Sequence, residues 1–351
     1  MAGKAPLVEI RTSPHIHDTP SVDTIMRNVV YALTPLCLLA VYQFGISALA
    51  LILVSIAACL ATETLFCKLG RQETTVSDYS AVITGILLAL TLPPGFPLWM
   101  AAVAGFVAIA LGKALFGGLG NNVLNPALVG RAFVQAAFPV AITTWTPPLA
   151  RGRFGEFIPS TWTWPFLEPP ATGDWSELVA IDGFSGATPL ALQKFEQIST
   201  EPWALFTGMT SGSTGETSAV LILLCGAYLV FRRMMDWRIP AATLLSALIT
   251  SGVFYLADPE RFPDPGFMLL SGGLMLGAVF MASDMVASPV TPLGIWIYGA
   301  LIGFLTIIIR LFGGLPEGVM YAILLGNAAS PLIAAATQPR IYGARPRDDK
   351  Q

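Results

Sequence analysis

Asp182-Gly183-Phe184-Ser185-Gly186-Ala187-Thr188-Pro189 gathers the residue types that present a hydroxyl for covalent chemistry. Its glycines let the backbone turn sharply and be approached closely, and Pro189 biases Thr188 toward an extended conformation. The pattern predicts a loop with an exposed Thr188 hydroxyl as nucleophile. The alternative is an ordinary Ser-Gly turn capping a short helix that begins near Pro189. A second polar element, Gly212-Ser213-Thr214-Gly215-Glu216-Thr217, leads straight into an apolar run. Glycine-flanked hydroxyls that open a helix leave backbone N–H groups free, and those attract phosphate. It is not a P-loop, because no lysine follows and no strand precedes.

Four ionisable residues stand in apolar surroundings, where charge is costly and needs a role or a partner: Glu63, Lys113, Arg131 and Asp284. Glu63 and Lys113 are near segment ends and are expected to snorkel to the membrane surface. Arg131 falls a little over one turn inside a short helix opened by Asn125-Pro126, facing the bundle interior. There a guanidinium can hold a carbonyl, a phosphate or an anionic ring. Asp284 closes Met281-Ala282-Ser283-Asp284 ahead of a proline-rich turn, and reads either as a cation-handling carboxylate or as a helix-end cap.

The elements that must position these residues are membrane helices. The chain is 54% hydrophobic and only 12% charged, with a mean hydropathy of +0.67, which places it among integral membrane proteins. A net charge of -3 without a basic face excludes nucleic acid as a partner. Cys37, Cys59, Cys67 and Cys225 show no Cys-x-x-Cys spacing and read as small buried hydrophobes. An iron-sulfur cluster would need ligands from another subunit. His15 and His17 are in the polar N-terminal tail, so histidine acid-base catalysis within the membrane is unavailable, and no metal site is expected.

The predicted fold is an all-α integral membrane protein of about ten transmembrane helices. The apolar segments run Thr24 to Phe44, Ile46 to Phe66, Asp78 to Leu92, Pro97 to Phe116, Pro126 to Pro139, Ser218 to Arg232, Ile239 to Ala257, Gly266 to Met285, Thr291 to Phe312 and Glu317 to Thr337. The third and fifth are short, as half-helices and broken helices are. Leu115-Phe116-Gly117-Gly118-Leu119 recurs as Leu311-Phe312-Gly313-Gly314-Leu315, each closing the fourth segment of its half. Five crossings per half is an odd number, so the halves form two inverted five-helix repeats. The first twenty or so residues lack the apolar core of a cleaved signal, which leaves the N-terminus in the cytoplasm. Ten crossings then put thirteen of the nineteen Lys and Arg residues on the cytoplasmic side, as the positive-inside rule requires. The expected organisation is a cytoplasmic tail (1–23), a first membrane repeat (24–139), a polar periplasmic insertion (140–217), a second repeat (218–337) and a cytoplasmic C-terminal tail (338–351). Both termini are cytoplasmic, in a bacterial inner membrane.

Several motifs, in this order, resemble the NqrB/RnfD family. They are Ser13-Pro14-His15, Thr91-Leu92-Pro93-Pro94-Gly95 with Pro97 and Trp99, Phe116 to Gly120 through Asn125-Pro126-Ala127-Leu128 to Gly130-Arg131-Ala132-Phe133, Asp182 to Thr188, Gly212 to Thr217 and Met281 to Pro289. The resemblance covers nearly the whole chain. It implies FMN attached as a phosphoester to Thr188, installed by a separate flavin transferase that takes FAD as donor. That enzyme reads the motif of Asp182, Ser185, Gly186 and Ala187. It also implies a non-covalent riboflavin among the helices toward the cytoplasmic side. The implied function is that of an electron-carrying membrane subunit of a ferredoxin:NAD+ oxidoreductase complex that moves Na+ or H+. Its partners are membrane lipid, the flavin transferase and the other Rnf-type subunits, of types A, B, C, E and G. The chain departs from the sodium-pumping relatives by carrying Ala114 and Ala334 where they have acids, while Asp284 matches a retained one; the resemblance therefore does not imply a sodium path like theirs, and leaves H+ or handling of the ion by other subunits open. The competing reading is a flavin-free transporter or channel of the urea- or ammonium-transporter type. A third is a purely structural anchor for a redox complex.

Overall fold

The computed structural model describes residues 21–71, 75–167, 169–170, 172–179, 187–198, 200, 202–208, 210–216 and 218–339. Among these the regular structure is entirely helical. The first half comprises α1 (Val22–Phe44), α2 (Ile46–Leu69), α3 (Ser80–Thr91), α4 (Leu98–Gly112) and α5 (Pro126–Ala137). Short helices follow through the polar stretch: α6 (Pro139–Thr143), α7 (Gly173–Val179), α8 (Pro189–Ala191), which runs on as a π turn over Leu192–Glu196, and α9 (Pro202–Thr207). The second half holds α10 (Ala219–Phe231), α11 (Arg238–Ala257), α12 (Pro265–Leu270), α13 (Leu274–Leu276), α14 (Pro292–Phe312) and α15 (Val319–Ala336). Six helices are long and apolar enough to cross a bilayer: α1, α2, α4 with its extension to Phe116, α11, α14 and α15. The chain is thus a multi-pass membrane protein.

The remaining expected segments are short or broken, and their sequences say why. Asn125 caps α5 by accepting from the N–H groups of Ala127 and Leu128, with Pro126 at the first helical position. Leu92 and Pro93-Pro94 stop α3 after twelve residues. Gly266 to Met285, expected as one crossing, is instead interrupted at Ser271-Gly272-Gly273 between α12 and α13, then completed by a π turn over Gly277–Met281. The break is tolerated because other parts of the protein satisfy the carbonyls it frees.

Equivalent helices of the two halves pack alike. The second helix of each half lies against the third and fourth, and the fourth against the fifth: α2 on α3 and α4, and α4 on α5; then α11 on α12 and α14, and α14 on α15. The halves meet where α1 packs on α10 and α5 on α15. Tyr228 of α10 donates to Asn28 Oδ1 of α1 at 2.7 Å, and Asn125 donates to the Met281 carbonyl at 3.3 Å.

The polar stretch is tied down onto the helix ends. At the α1–α2 corner, Gly45 adopts φ 72°, and a Cβ there would come within 1.9 Å of the Arg153 carbonyl oxygen. That carbonyl accepts from Ile46 N–H at 3.0 Å. Arg153 in turn reaches the Tyr42 carbonyl through Nε at 2.8 Å, and Gln43 donates to the Gly208 carbonyl at 2.8 Å. A glycine at this corner therefore lets the polar stretch sit directly on the helix junction.

Candidate functional site

Thr188 adopts φ -76°, ψ 156°, the extended conformation that Pro189 dictates, and caps α8 by accepting from Ala191 N–H at 3.3 Å. It is only 4% exposed. The hydroxyl expected to project from an open loop is therefore a buried cap, because the segment after it folds onto the membrane helices. Thr188 lines a small cleft, about 20 Å³, together with Thr210, Ser211, Gly212, Glu216, Gly272 and Glu317. Ser211 donates to the carbonyl of Ala187 at 2.7 Å and holds these two parts of the polar stretch together. Asp182, Ser185 and Gly186 lie outside the described residues.

Arg131 projects from α5 toward the same cleft and is 4% exposed. Its Nη1 donates to Glu216 at 3.0 Å and its Nη2 to Glu317 at 2.5 Å. The guanidinium is thus engaged by two carboxylates, one just before α10 and one just before α15, so that it fastens the first half to both ends of the second. Glu216 is buried, and one of its oxygens has no hydrogen-bond partner. Burial, reinforced by the charge of Glu317 and opposed by Arg131, pushes Glu216 up to about 7. Neither acid was distinguished by sequence alone: Glu317 opened a helix like any first-turn acid, and Glu216 was hidden in a stretch read for its backbone. That stretch behaves differently from the expectation. The N–H groups of Thr214 and Gly215 donate to the Leu92 and Leu90 carbonyls at 3.0 and 2.8 Å, so they finish the C-terminal end of α3 and are not free for phosphate.

A second site opens on the opposite end of the bundle, a cavity of about 100 Å³ between α1, α3, α5 and the 280–285 turn. Asp284, Asn122, Asn125, Ser80, Lys113 and Thr84 supply its polar lining, and Ile25, Val29, Leu87 and Phe280 much of the apolar remainder. Asp284 both lines this cavity and accepts from Val286 N–H at 3.1 Å, so it makes the turn-capping bond while facing the space. The Oδ1 of Asn122 is buried there without a partner. Glu63 and Lys113 do not snorkel. Each is 4% exposed, and they pair at 2.7 Å, with Lys113 also donating to Ser80 Oγ at 2.5 Å and lying 3.9 Å from Asp78. Thr75 donates to the same Glu63 oxygen. The chain turns back after α4, which carries Lys113 inward over α2 and α3, and a buried pair costs less than either charge alone.

A profile of the NQR2, RnfD, RnfE family matches residues 9–343. The chain belongs to that family. It is 38% identical over 352 residues to a protein of Clostridium ljungdahlii named as the D component of a proton-translocating ferredoxin:NAD(+) oxidoreductase complex, covering 97% of this chain and 98% of the relative. It is 41% identical over 338 residues to the D component of the Na(+)-translocating ferredoxin:NAD(+) oxidoreductase complex of Acetobacterium woodii, covering 95% of each. The D component of an ion-translocating oxidoreductase complex from Alcanivorax borkumensis is 37% identical over 95% of this chain and 96% of its own length. These NQR2/RnfD/RnfE relatives are named for different ions, so family membership does not fix which one moves.

Proposed function

We propose that this chain is the FMN-carrying membrane subunit of an Rnf-type ferredoxin:NAD+ oxidoreductase, an electron carrier in a complex that couples redox chemistry to Na+ or H+ movement. The observation that carries the reading is Thr188. Its hydroxyl is held by an extended Thr-Pro junction at the edge of a cleft, in a chain similar over almost its full length to the D components of such complexes. A bacterial inner-membrane location with cytoplasmic termini and a periplasmic 140–217 stretch is part of the same proposal. So are partners of types A, B, C, E and G and a maturing flavin transferase. In the attachment, Thr188 Oγ bonds to the FMN phosphorus of FAD, the FAD pyrophosphate bond breaks, AMP leaves and the hydroxyl proton is released.

The residues at hand fit the phosphate end of FMN. Thr210 brings a hydroxyl donor into the Thr188 cleft, while the Ser211 hydroxyl is committed to the Ala187 carbonyl and holds the wall in place. Arg131 bonds both Glu216 and Glu317 and offsets one of their two negative charges, and burial favours the protonated form of Glu216. When bound, the flavin supplies electron acceptance and release. The protein holds the attachment point, and its packed α3 terminus beneath Gly215 keeps that end of the site closed. The cavity at the opposite end is proposed for the riboflavin. Apolar side chains line it with a few polar groups among them, as at small-molecule sites, and Asn122 Oδ1, without a partner among the described residues, is an acceptor suited to a ring N–H.

Co-expression with a flavin transferase followed by denaturing electrophoresis tests the covalent flavin. The expected result is an ultraviolet-fluorescent band that vanishes in Thr188→Val. A dark wild-type band, as the transporter reading requires, or undiminished fluorescence in the variant overturns it. A structural anchor instead predicts that ferredoxin-driven or NADH-driven electron transfer survives Thr188→Val in the complex.

A further inference from the structure

At the end of the bundle that carries Thr188, a separate cleft of about 180 Å³ lies between α8 with its π turn, the 261–263 loop, α12 and the end of α14. Among the described residues three cationic side chains line it, Lys194, Arg261 and Arg310, and no acid does. Arg310 forms its floor and is 3% exposed. The two terminal nitrogens of Arg310 donate to the carbonyls of Met268 and Ser271 at 2.5 and 3.0 Å, the groups freed where α12 stops. Its Nε is buried without a partner among the described residues. Glu317 and Glu216, whose field reaches Arg310, are already bonded to Arg131. Lys194 Nζ sits over the C-terminal end of α14, donating to the carbonyls of Arg310, Gly313 and Leu315 at 2.8, 2.5 and 3.1 Å. Arg261 stands exposed at the rim, 5.4 Å from the ring of Phe262. Asp258 and Glu260 belong to the same connection but do not line the cleft.

The rim is apolar and faces outward. Phe312 is 58% exposed, and its ring packs with Phe254 and Phe262 at 5.4 and 6.4 Å. The 21 residues of α14 span about 30 Å at 1.5 Å per residue, the thickness of a bilayer core, so its last turn stands at the level of lipid headgroups. A basic, partly desolvated cleft bordered by aromatic rings at that depth suits a phosphate carried on an acyl body.

We infer that this cleft binds the phosphate of an anionic phospholipid, with Arg310 Nε and Arg261 as its donors and the Phe254–Phe262–Phe312 group receiving the chain. The site is independent of flavin attachment. The test is native mass spectrometry of delipidated full-length protein titrated with phosphatidylglycerol and with phosphatidylcholine. Wild type should retain phosphatidylglycerol preferentially. Arg261→Gln, which removes only a rim side chain, should weaken retention about fivefold, the effect of one cation near a membrane surface. Arg238→Gln, remote from the cleft, should leave it unchanged. Equal retention of the two lipids, or the same affinity in Arg261→Gln as in wild type, overturns the site. Displacement of the lipid by inorganic phosphate at equal concentration overturns the lipid as its source. Retention that appears only in Thr188→Val would hand the cleft to the flavin and overturn the proposal as well.

Discussion

Replacing Arg131 with methionine isolates what the cross-repeat pairing contributes. The side chain is buried and bonded to two carboxylates, of which Glu216 is 3% and Glu317 15% exposed. Removing one partner of a buried ion pair costs about 3–5 kcal/mol, because a charge is left without compensation. That cost has an escape: a stranded carboxylate can take a proton, at about 1.4 kcal/mol per pH unit separating the solution from its pKa. Burial already raises Glu216 with Arg131 in place, and loss of the cation raises it further. The penalty in Arg131→Met should therefore be larger at pH 8 than at pH 5, because protonation of Glu216 removes the stranded charge at the lower pH. Glu317→Gln should cost less at either pH, since its carboxylate is better exposed and Glu216 still holds the arginine. Reversible unfolding in mixed micelles, followed through the chain's eight tryptophans, measures the ordering. A penalty independent of pH, or one no larger for Arg131→Met than for Glu317→Gln, would refute the reasoning.

Other outcomes follow from the same structure. Lys113→Met should destabilise by about 3–5 kcal/mol by stranding Glu63, and adding Glu63→Gln should restore most of the loss; additive losses in the double variant would contradict the pairing. Asn122→Leu should reduce the flavin released by denaturation while leaving the gel-fluorescent flavin on Thr188 intact, and unchanged release would remove riboflavin from the cavity. Gly215→Ala places a Cβ 2.6 Å from Leu90 Cβ and should cost about 1–3 kcal/mol of overpacking, read in the same unfolding assay.

The helical class, the short α3 and α5 and the likeness of the two halves were legible because they depend on local chemistry: apolar run length, Pro93-Pro94, Asn125-Pro126 and the repeated Phe-Gly-Gly-Leu. The extended Thr188 was legible for the same reason, since the following proline fixes it. Its burial was not, because that depends on residues distant in the chain, Ser211 bonded to Ala187 and Leu205, Leu270 and Glu317 around the same cleft. The pairing of Glu63 with Lys113 spans fifty residues and the tie from Arg131 to Glu317 spans 186, and no periodicity records such distances. The interruption at Ser271-Gly272-Gly273 had a visible signal in its two glycines. What makes it tolerable, Arg310 donating to Met268 and Ser271, belongs to another helix.

The measurement that bears most directly on the account is peptide mass spectrometry of the 140–217 stretch from protein matured with its flavin transferase. The account predicts a peptide containing Thr188 that carries the mass of FMN less water, with fragmentation placing it on Thr188. An unmodified Thr188, or the same mass on another residue, would contradict it.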